Sequence, residues 1–418
     1  MQIELINTGS ELLLGRTLNT HAQWLARRLA DRGLVVTRQT TVADTGSEIV
    51  AAVREALTRA DLVITTGGLG PTSDDLTRQV LAEMLGKKLH EDATVLATIE
   101  KRFTARNRVM PASTRVQALV PESALVLTNA HGTAPGLAME VRPGAWLIML
   151  PGPPRELRPM FDEVVLPLLA EKFPGANAFT SLTLRTVGLG ESVIEERIAL
   201  RLSALVARGL EIGYCAHMGQ VDVRLAAQGA RREELVRAGE AIVRGELAET
   251  IFGTDDDLLE TVVVRALTQR KQTLALAESC TGGFIANKIT NVPGASAVLL
   301  AGLVTYVNAA KEKFAEVRAE TLAQHGAVSE AVVREMAEGA RRGTGADFAI
   351  AVTGIAGPGG GSAEKPVGTV FLALAAAGGT VVEKKFNAYE REVFKELTAR
   401  QGLELLRQAM LTTKNPQG

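Results

Sequence analysis

Two patterns alternate along the chain: short continuous apolar runs, and longer stretches whose apolar residues recur at helical spacing. Ile3–Asn7 and Asp61–Thr66 are runs of strand length. Between them, Asn19 caps a helix predicted over Ala22–Arg32, with Gly33 at its C′ end. Leu34–Val42 reads as a strand and Ser47–Arg59 as an amphipathic helix. Strands separated by single helices predict parallel βαβ units. Trp146–Leu150 is another continuous apolar strand. It enters Pro151-Gly152-Pro153-Pro154, which turns the chain into a helix around Glu156–Ala170.

Phe173-Pro174-Gly175 marks a boundary. The next stretch predicts a strand Ser181–Val187, a helix Val193–Ala207, hairpin arms Ile212–Tyr214 and Val221–Ala226, and a helix Glu233–Glu249. Asp255-Asp256-Asp257 then precedes a helix Leu258–Gln269, where carboxylates suit N-capping and the helix dipole. A further set follows: strand Thr273–Ala277, helices Gly283–Ile289 and Glu330–Arg342, and strands Phe348–Val352, Thr369–Ala375 and Val381–Phe386. A closing helix covers Arg391–Leu411, and residues 413–418 read as a frayed tail. The layout predicts a multi-domain α/β protein. Two three-layer α/β domains, residues 1–174 and 254–418, are joined by a small α+β domain, residues 175–253.

Composition narrows the class. A chain of 418 residues with 46% hydrophobic and 22% charged residues is long enough for several separate cores. Lys+Arg total 46 against 47 for Asp+Glu, so no charge excess draws a phosphate backbone or an anionic membrane. Ala297–Val304, the longest apolar run, is interrupted by Gly302 and is too short to span a bilayer. Glu4 stands where a signal peptide needs positive charge. Two cysteines, Cys215 and Cys280, cannot build a disulfide framework or a thiolate zinc site. A soluble cytoplasmic protein is expected. Its 40 glycines suit the tight turns at which α/β enzymes bind ligands, or simply many short connections.

Two glycine-rich turns hold candidate chemistry. The strand ending Thr65-Thr66 runs into Gly67-Gly68-Leu69-Gly70-Pro71-Thr72-Ser73-Asp74-Asp75. Backbone N–H groups on such a strand–loop–helix junction can reach phosphate oxygens. No Lys follows the glycines, so this is not a Walker loop. Asp74 and Asp75 either cap the next helix or hold a hard cation such as Mg²⁺ against a phosphate.

The second turn is Glu278-Ser279-Cys280-Thr281-Gly282-Gly283, which follows a strand and opens a helix. Ser279 is either an exposed nucleophile, with nearby N–H groups taking up oxyanion charge, or a helix N-cap. Cys280 is the rival nucleophile, but none of the five histidines is identifiable as its base. Lys311 lies five residues after Tyr306, just past an apolar segment. Burial there would lower its pKa and make it a base; exposure would leave it a solvated surface lysine.

Longer motifs resemble a known family. Thr65-Thr66-Gly67-Gly68-Leu69-Gly70-Pro71-Thr72-x-Asp74-Asp75-x-Thr77 is joined by Gly9-x-Glu11-Leu12-Leu13-x-Gly15, Asn129-x-x-Gly132-Thr133-Ala134-Pro135-Gly136 and Leu150-Pro151-Gly152-x-Pro154-x-Glu156. Together they resemble the N-terminal domain of the CinA family (competence/damage-inducible protein A), itself similar to molybdopterin-binding proteins. The resemblance implies cleavage of ADP-ribose to AMP and ribose 5-phosphate. A divalent metal, Mg²⁺ or similar, would sit on Asp74 and Asp75. Thr66, Gly67, Gly68, Gly70, Pro71, Thr72, Gly152 and Glu156 would bind the substrate. Where many relatives read Asn-Thr-Asn, this chain has Asn19-Thr20-His21.

Ala277-Glu278-Ser279-Cys280-Thr281-Gly282-Gly283, Tyr306-x-Asn308-x-x-Lys311, Gly326-Ala327-Val328-Ser329, Thr353-Gly354-Ile355-Ala356-Gly357-Pro358 and Lys365-Pro366-Val367-Gly368-Thr369-Val370 resemble the C-terminal domain of the same family. That domain is similar to nicotinamide mononucleotide (NMN) amidohydrolases. The resemblance implies Ser279 as nucleophile, Lys311 as general base, Tyr306 as an orienting group and Arg391 as a further polar residue. Thr281, Gly282, Gly283, Asn308, Thr353, Gly354 and Gly357 would bind substrate. No metal or other cofactor is called for at this second site. The middle segment resembles the family's KH-like insert, yet it lacks the G-x-x-G loop that clamps nucleotides. It is expected to act as a spacer or dimerisation element in a homodimer, with no nucleic-acid or membrane partner. A bifunctional enzyme of pyridine-nucleotide salvage is therefore expected. The alternatives are an N-terminal domain that only holds a pterin or nucleotide, and a DNA-uptake or damage accessory factor.

Overall fold

The computed structural model describes residues 1–174 and 179–412, so Gly175 of the expected boundary and the tail 413–418 lie outside the described residues. The chain forms two compact units, Met1–Thr180 with Gln228–Arg232, and Ser181–Ala227 with Glu233–Gly418. Among the described residues, no helix is long and apolar enough to cross a membrane.

The first unit is built on β1 (Ile3–Thr8), α1 (Thr20–Ala30), β2 (Arg38–Val42), α2 (Gly46–Leu57), β3 (Leu62–Thr66), α3 (Thr77–Met84), β4 (Leu125–Leu127), β5 (Gly136–Arg142) and β6 (Ala145–Leu150). The six strands lie in the order β2-β1-β3-β6-β5-β4. β2, β1, β3 and β6 are mutually parallel, as the single-helix spacing predicts. Strand residues alternate between faces, and both faces of the central strands are covered, so β3 and β6 are buried along their whole length, whereas β2 at the edge is polar and only partly buried. Leu62 and Ile64 pack with Leu25 and Leu29 of α1, while Val63 packs with Ile49 and Val53 of α2. Registers Asn7↔Thr66 and Thr66↔Leu150 bring the carboxyl ends of three parallel strands together. That edge is where open α/β sheets bind ligands.

The second unit has two sheets. β7 (Phe179–Val187), β8 (Leu210–His217), β9 (Gln220–Gln228) and β10 (Ile251–Thr254) lie in the order β8-β9-β7-β10, with α4 (Glu191–Val206) and α5 (Arg232–Leu247) sharing their core. The larger sheet contains β11 (Leu274–Glu278), β12 (Leu299–Val304), β13 (Phe348–Gly354), β14 (Thr369–Ala376) and β15 (Gly379–Phe386), in the order β12-β11-β13-β14-β15. β11 is central between two parallel neighbours. Its faces differ in size. Leu274, Leu276, Ile350 and Leu372 face one core, while Ala275, Ala277, Ala349 and Ala373 face the other. The small face receives the helix Glu330–Thr344 through Val333, Met336, Ala337 and Ala340, while Gly339 of the same helix abuts the Ala315 carbonyl at the end of the helix Asn308–Ala315. The closing helix, Arg391–Thr412, packs on the large face. Its buried Arg407 donates to the carbonyls of Glu249 and Ile251, fastening the two sheets of this unit together.

Four expectations from the pattern are corrected. Leu34–Thr37 is not strand: the Leu34 N–H closes the end of α1 on Leu29, and the ladder begins only at Arg38. The helix around Glu156–Ala170 is broken by a π-type turn, Phe161–Val165, between Pro159 and Pro167, which each lack a backbone donor. The aspartates 255–257 do not cap the following helix, whose N-cap is Leu258. Asp257 instead accepts from the Thr254 N–H and pairs with Arg265. Leu299–Val304, read only as an apolar run, is an edge strand.

Candidate active site

β11 ends in Glu278, and the chain turns over Ser279–Gly283 into the helix Phe284–Thr290. Gly282 and Gly283 both have positive φ, 63° and 92°, which side chains resist. The Ser279 N–H continues the sheet by donating to the Val352 carbonyl. Ser279 does not cap the helix; its hydroxyl lies 3.1 Å from Lys311 Nζ.

Lys311 is only 1% exposed and sits on the helix Asn308–Ala315. Its Nζ donates to the carbonyls of Thr305 at 2.8 Å and Tyr306 at 3.3 Å. Burial pushes the lysine below its ordinary range, opposed weakly by the nearby Cys280. A neutral amine has two hydrogens and one lone pair. Nζ is placed as a donor to Ser279 Oγ; in the neutral form, with the two carbonyls taking its hydrogens, its lone pair would be free to accept the Ser279 hydroxyl proton. This is the geometry of a general base. Cys280 is buried, and burial pushes its thiol up to about 12, far from the thiolate a nucleophile needs.

Around this pair, Arg391 Nη2 donates to the Tyr306 hydroxyl at 2.6 Å and Nη1 donates to the Gly357 carbonyl at 2.8 Å. The guanidinium thus ties exposed Tyr306 to the glycine loop after β13. Asn308 is exposed at the start of its helix. Thr353 is buried and its hydroxyl is spent on the Ala327 carbonyl. Gly354 lies against Val370 in the sheet, where a Cβ would meet the Thr369 carbonyl at 2.9 Å.

The sequence did not single out Glu278. It is 1% exposed, and its carboxylate accepts from the Thr281 hydroxyl at 2.6 Å and from the N–H groups of Gly283, Ile285 and Ala286 at 3.0, 3.1 and 2.8 Å. Those helix-start N–H groups are therefore not offered to a substrate, and neither is the buried Thr281 hydroxyl. The signal was an acidic residue ending an otherwise apolar strand directly before a Gly-Gly turn.

In the first unit, the loop after β3 is shaped by glycines that admit no Cβ. At Gly67 it would lie 2.6 Å from Thr8 Oγ1, at Gly68 2.1 Å from Thr77 Oγ1, and at Gly70 2.3 Å from Asp75 Oδ2. The Gly67 N–H donates to Leu150, and Gly152 abuts Gly67. Thr66 is buried and its hydroxyl accepts from Asn7. Pro71 precedes Thr72, whose N–H and hydroxyl both donate to Asp75. The same hydroxyl lies close enough to Asp74 to hold that exposed carboxyl below its ordinary range, helped by the Asp74 N–H. Neither aspartate caps α3, whose N-cap is Leu76.

Glu156 is buried and accepts from Asn129 Nδ2 at 2.8 Å, and Gly132 packs so tightly on this carboxylate that a Cβ would overlap it. His21, at the position that departs from Asn-Thr-Asn, places Nε2 2.5 Å from the Gly152 carbonyl. Burial lowers its pKa, against the raising effect of that hydrogen bond. A cavity of about 180 Å³ lined by Arg102, Asn129, Gly132 and Thr133 is too small for a dinucleotide-sized ligand, so the open glycine loop is the better candidate surface.

Asn7 Oδ1 and Thr77 Oγ1 are buried beside this loop without a protein partner, an arrangement that suits a polar ligand. Among the described residues, no group of three or more His, Cys, Asp or Glu could hold a metal unaided. Two adjacent carboxylates beside an N–H-rich loop do fit a Mg²⁺-type ion, which takes one or two carboxylates and completes its shell with water and phosphate oxygens.

Comparison with known proteins gives three consecutive matches. Residues 4–171 match the probable molybdopterin binding domain, residues 181–253 the damage-inducible protein CinA KH domain, and residues 256–410 the CinA C-terminal domain. The chain is 45% identical over 409 residues to a CinA-like protein of Akkermansia muciniphila, covering 96% of both chains. It is 40% identical over 414 residues to a CinA-like protein of Gemmatimonas aurantiaca, covering 98% of this chain and 96% of the other. Among solved structures, the competence/damage-inducible protein of Agrobacterium tumefaciens is 44% identical, covering 37% of this chain and 94% of that one with a TM-score of 0.36.

Proposed function

The chain belongs to the CinA family, and from that premise we propose that it is a bifunctional hydrolase of pyridine-nucleotide salvage, acting in the cytoplasm as a homodimer. Its main activity is hydrolysis of NMN to nicotinic acid mononucleotide and ammonia. The observation that carries this reading is the buried Lys311 Nζ, 3.1 Å from Ser279 Oγ and fixed there by two carbonyls. The substrate class follows from the family resemblance of the surrounding motifs.

Ser279 Oγ attacks the carboxamide carbon of NMN while Lys311 takes the hydroxyl proton. Lys311 then delivers that proton to the amide nitrogen, the C–N bond breaks and ammonia leaves. Water, giving a proton to Lys311, attacks the resulting ester; as the ester C–O bond breaks, Lys311 returns that proton to Ser279 Oγ and nicotinic acid mononucleotide is freed. Arg391 holds the Tyr306 hydroxyl and the Gly357 loop at the rim, where a cation suits a mononucleotide phosphate. Incubating the purified protein with NMN and identifying the products tests this. Release of nicotinamide in place of ammonia would rule the reading out.

The second activity is hydrolysis of the phosphoanhydride bond of ADP-ribose, in which water attacks one phosphorus and the P–O–P bond breaks, giving AMP and ribose 5-phosphate. It is supported by the carboxylates of Asp74 and Asp75 beside the Gly67–Gly70 loop. These two residues would hold a divalent ion, which supplies charge neutralisation on the pyrophosphate. The N–H groups of the Gly68–Gly70 stretch would bind and orient the phosphates, since those of Gly67 and Thr72 and the buried Thr66 hydroxyl are already engaged within the protein. AMP formation from ADP-ribose, abolished by EDTA, tests it. Binding of ADP-ribose without cleavage at any metal concentration would leave this unit a nucleotide-binding module.

A further inference from the structure

Glu278 stands next to the nucleophile, yet its carboxylate bonds neither Ser279 nor Lys311. Its contacts all run within the turn that carries Ser279. One oxygen gathers the Thr281 hydroxyl and the Gly283 and Ile285 N–H groups; the other takes the Ala286 N–H. The helix Phe284–Thr290 has no cap from its own N-cap residue, Gly283, so a glutamate five residues earlier closes its start. The chain between strand end and helix is thereby folded back onto the strand. Two positive-φ glycines permit that fold, but four hydrogen bonds to one side chain hold it.

The Glu278 backbone fastens the other half of the pair. Its carbonyl accepts the Thr305 N–H at 2.8 Å. The Thr305 carbonyl in turn accepts Lys311 Nζ at 2.8 Å, and Lys311 meets Ser279 Oγ. Nucleophile and base are thus both referred to the same residue at the end of β11.

We propose that Glu278 is a positioning residue of the amidase site, and that Thr281, through its hydroxyl bond to Glu278, belongs to this brace and not to the substrate contacts. The inference rests on the Ser279–Lys311 reading and goes beyond it. A displacement of about 1 Å in an attacking group is enough to slow a reaction roughly a hundredfold without weakening ground-state binding. The effect therefore belongs in kcat.

The test uses the full-length protein, with NMN hydrolysis and the rate of Ser279 labelling by a fluorophosphonate probe as two readouts. Glu278→Gln keeps the shape but presents an NH₂ to one of the N–H donors. It is expected to lower kcat at least tenfold and to slow labelling in proportion, with KM within about twofold of wild type. Thr281→Val, an isosteric buried change, is expected to lower kcat several-fold, again with KM unchanged. The two changes combined should fall short of the product of their separate effects, because they break one connected network. If Glu278→Gln does not fold, Thr281→Val and the labelling rate decide. A Thr281→Val loss confined to KM would make Thr281 a substrate contact and overturn the proposal, as would wild-type kcat and labelling in Glu278→Gln. Should the wild type not hydrolyse NMN at all, the functional reading fails, while the labelling rates still report on the brace.

Discussion

Lys311 and Ser279 meet 3.1 Å apart with the lysine 1% exposed and hydrogen-bonded to two carbonyls. A lysine kept as a cation at that depth would sit against two carbonyl oxygens and a hydroxyl, with no carboxylate among its hydrogen-bond partners. Burial shifts the balance toward the neutral amine, the form that the proposed chemistry uses.

The first prediction concerns pH. Because burial lowers the Lys311 pKa, the unfolded chain binds more protons than the folded one between the lowered folded value and the ordinary lysine value of about 10.4. Stability contributed by this group therefore rises with pH across that window and is lost as pH falls through the folded value. Melting temperature measured against pH should show this slope in the wild type and not in Lys311→Met. The same titration should appear as an alkaline-rising limb in kcat/KM for NMN. Equal slopes in both proteins would mean that Lys311 titrates like a surface lysine.

The second concerns the two thiols. Cys215 is exposed and Cys280 is buried with its thiol pushed up to about 12. Ellman's reagent at pH 8 should titrate one thiol in the native protein and two after denaturation. Rapid reaction of Cys280 in the native state would return it to candidacy as a nucleophile.

The third concerns the aspartate pair. Asp75→Asn is expected to lower metal-dependent AMP formation from ADP-ribose by about two orders of magnitude or more, while NMN hydrolysis is unchanged. Since neither aspartate caps α3, the melting temperature should move little. Full pyrophosphatase activity in the Asp74→Asn, Asp75→Asn double variant would assign these residues to loop structure alone.

Much of this was legible in the sequence. Both glycine turns sit where their motifs place them, at the ends of β3 and β11, because apolar strand runs and positive-φ glycines are local signals. The three-layer sheets were legible for the same reason. The burial of Lys311 was not: a lysine at the fourth position of an eight-residue helix looks solvated until the strand and turn beneath it are in place. Glu278 was missed because its four donors come from residues three to eight positions onward, folded back by a turn that spacing does not reveal. The aspartates 255–257 misled because capping is a statement about one residue's backbone, and the N-cap, Leu258, lies one residue beyond the acidic run. Leu34-Val35-Val36 misled for a related reason: its apolar pattern is that of a strand, but its first N–H is already committed to ending α1.

The fourth prediction is that the amidase activity is separable. A fragment from about Thr254 to Gly418 should hydrolyse NMN in excess EDTA, since the site as described uses a serine and a lysine. That cut removes the Glu249 and Ile251 carbonyls that Arg407 engages. A fragment begun at Glu249 should therefore melt several degrees higher, by roughly 1–3 kcal/mol of restored hydrogen bonding. Circular dichroism establishes folding first. A folded fragment that is inactive until metal is added would contradict the Ser–Lys assignment.

The most direct measurement is ammonia release from NMN by the full-length wild type, Ser279→Ala, Lys311→Met and Cys280→Ala, each checked for folding. The account predicts that the wild type produces equal amounts of ammonia and nicotinic acid mononucleotide. Ser279→Ala and Lys311→Met should fall by at least a thousandfold, on the order seen when a nucleophile or its base is removed, and Cys280→Ala should keep most of its activity. An active Ser279→Ala beside a dead Cys280→Ala would contradict it.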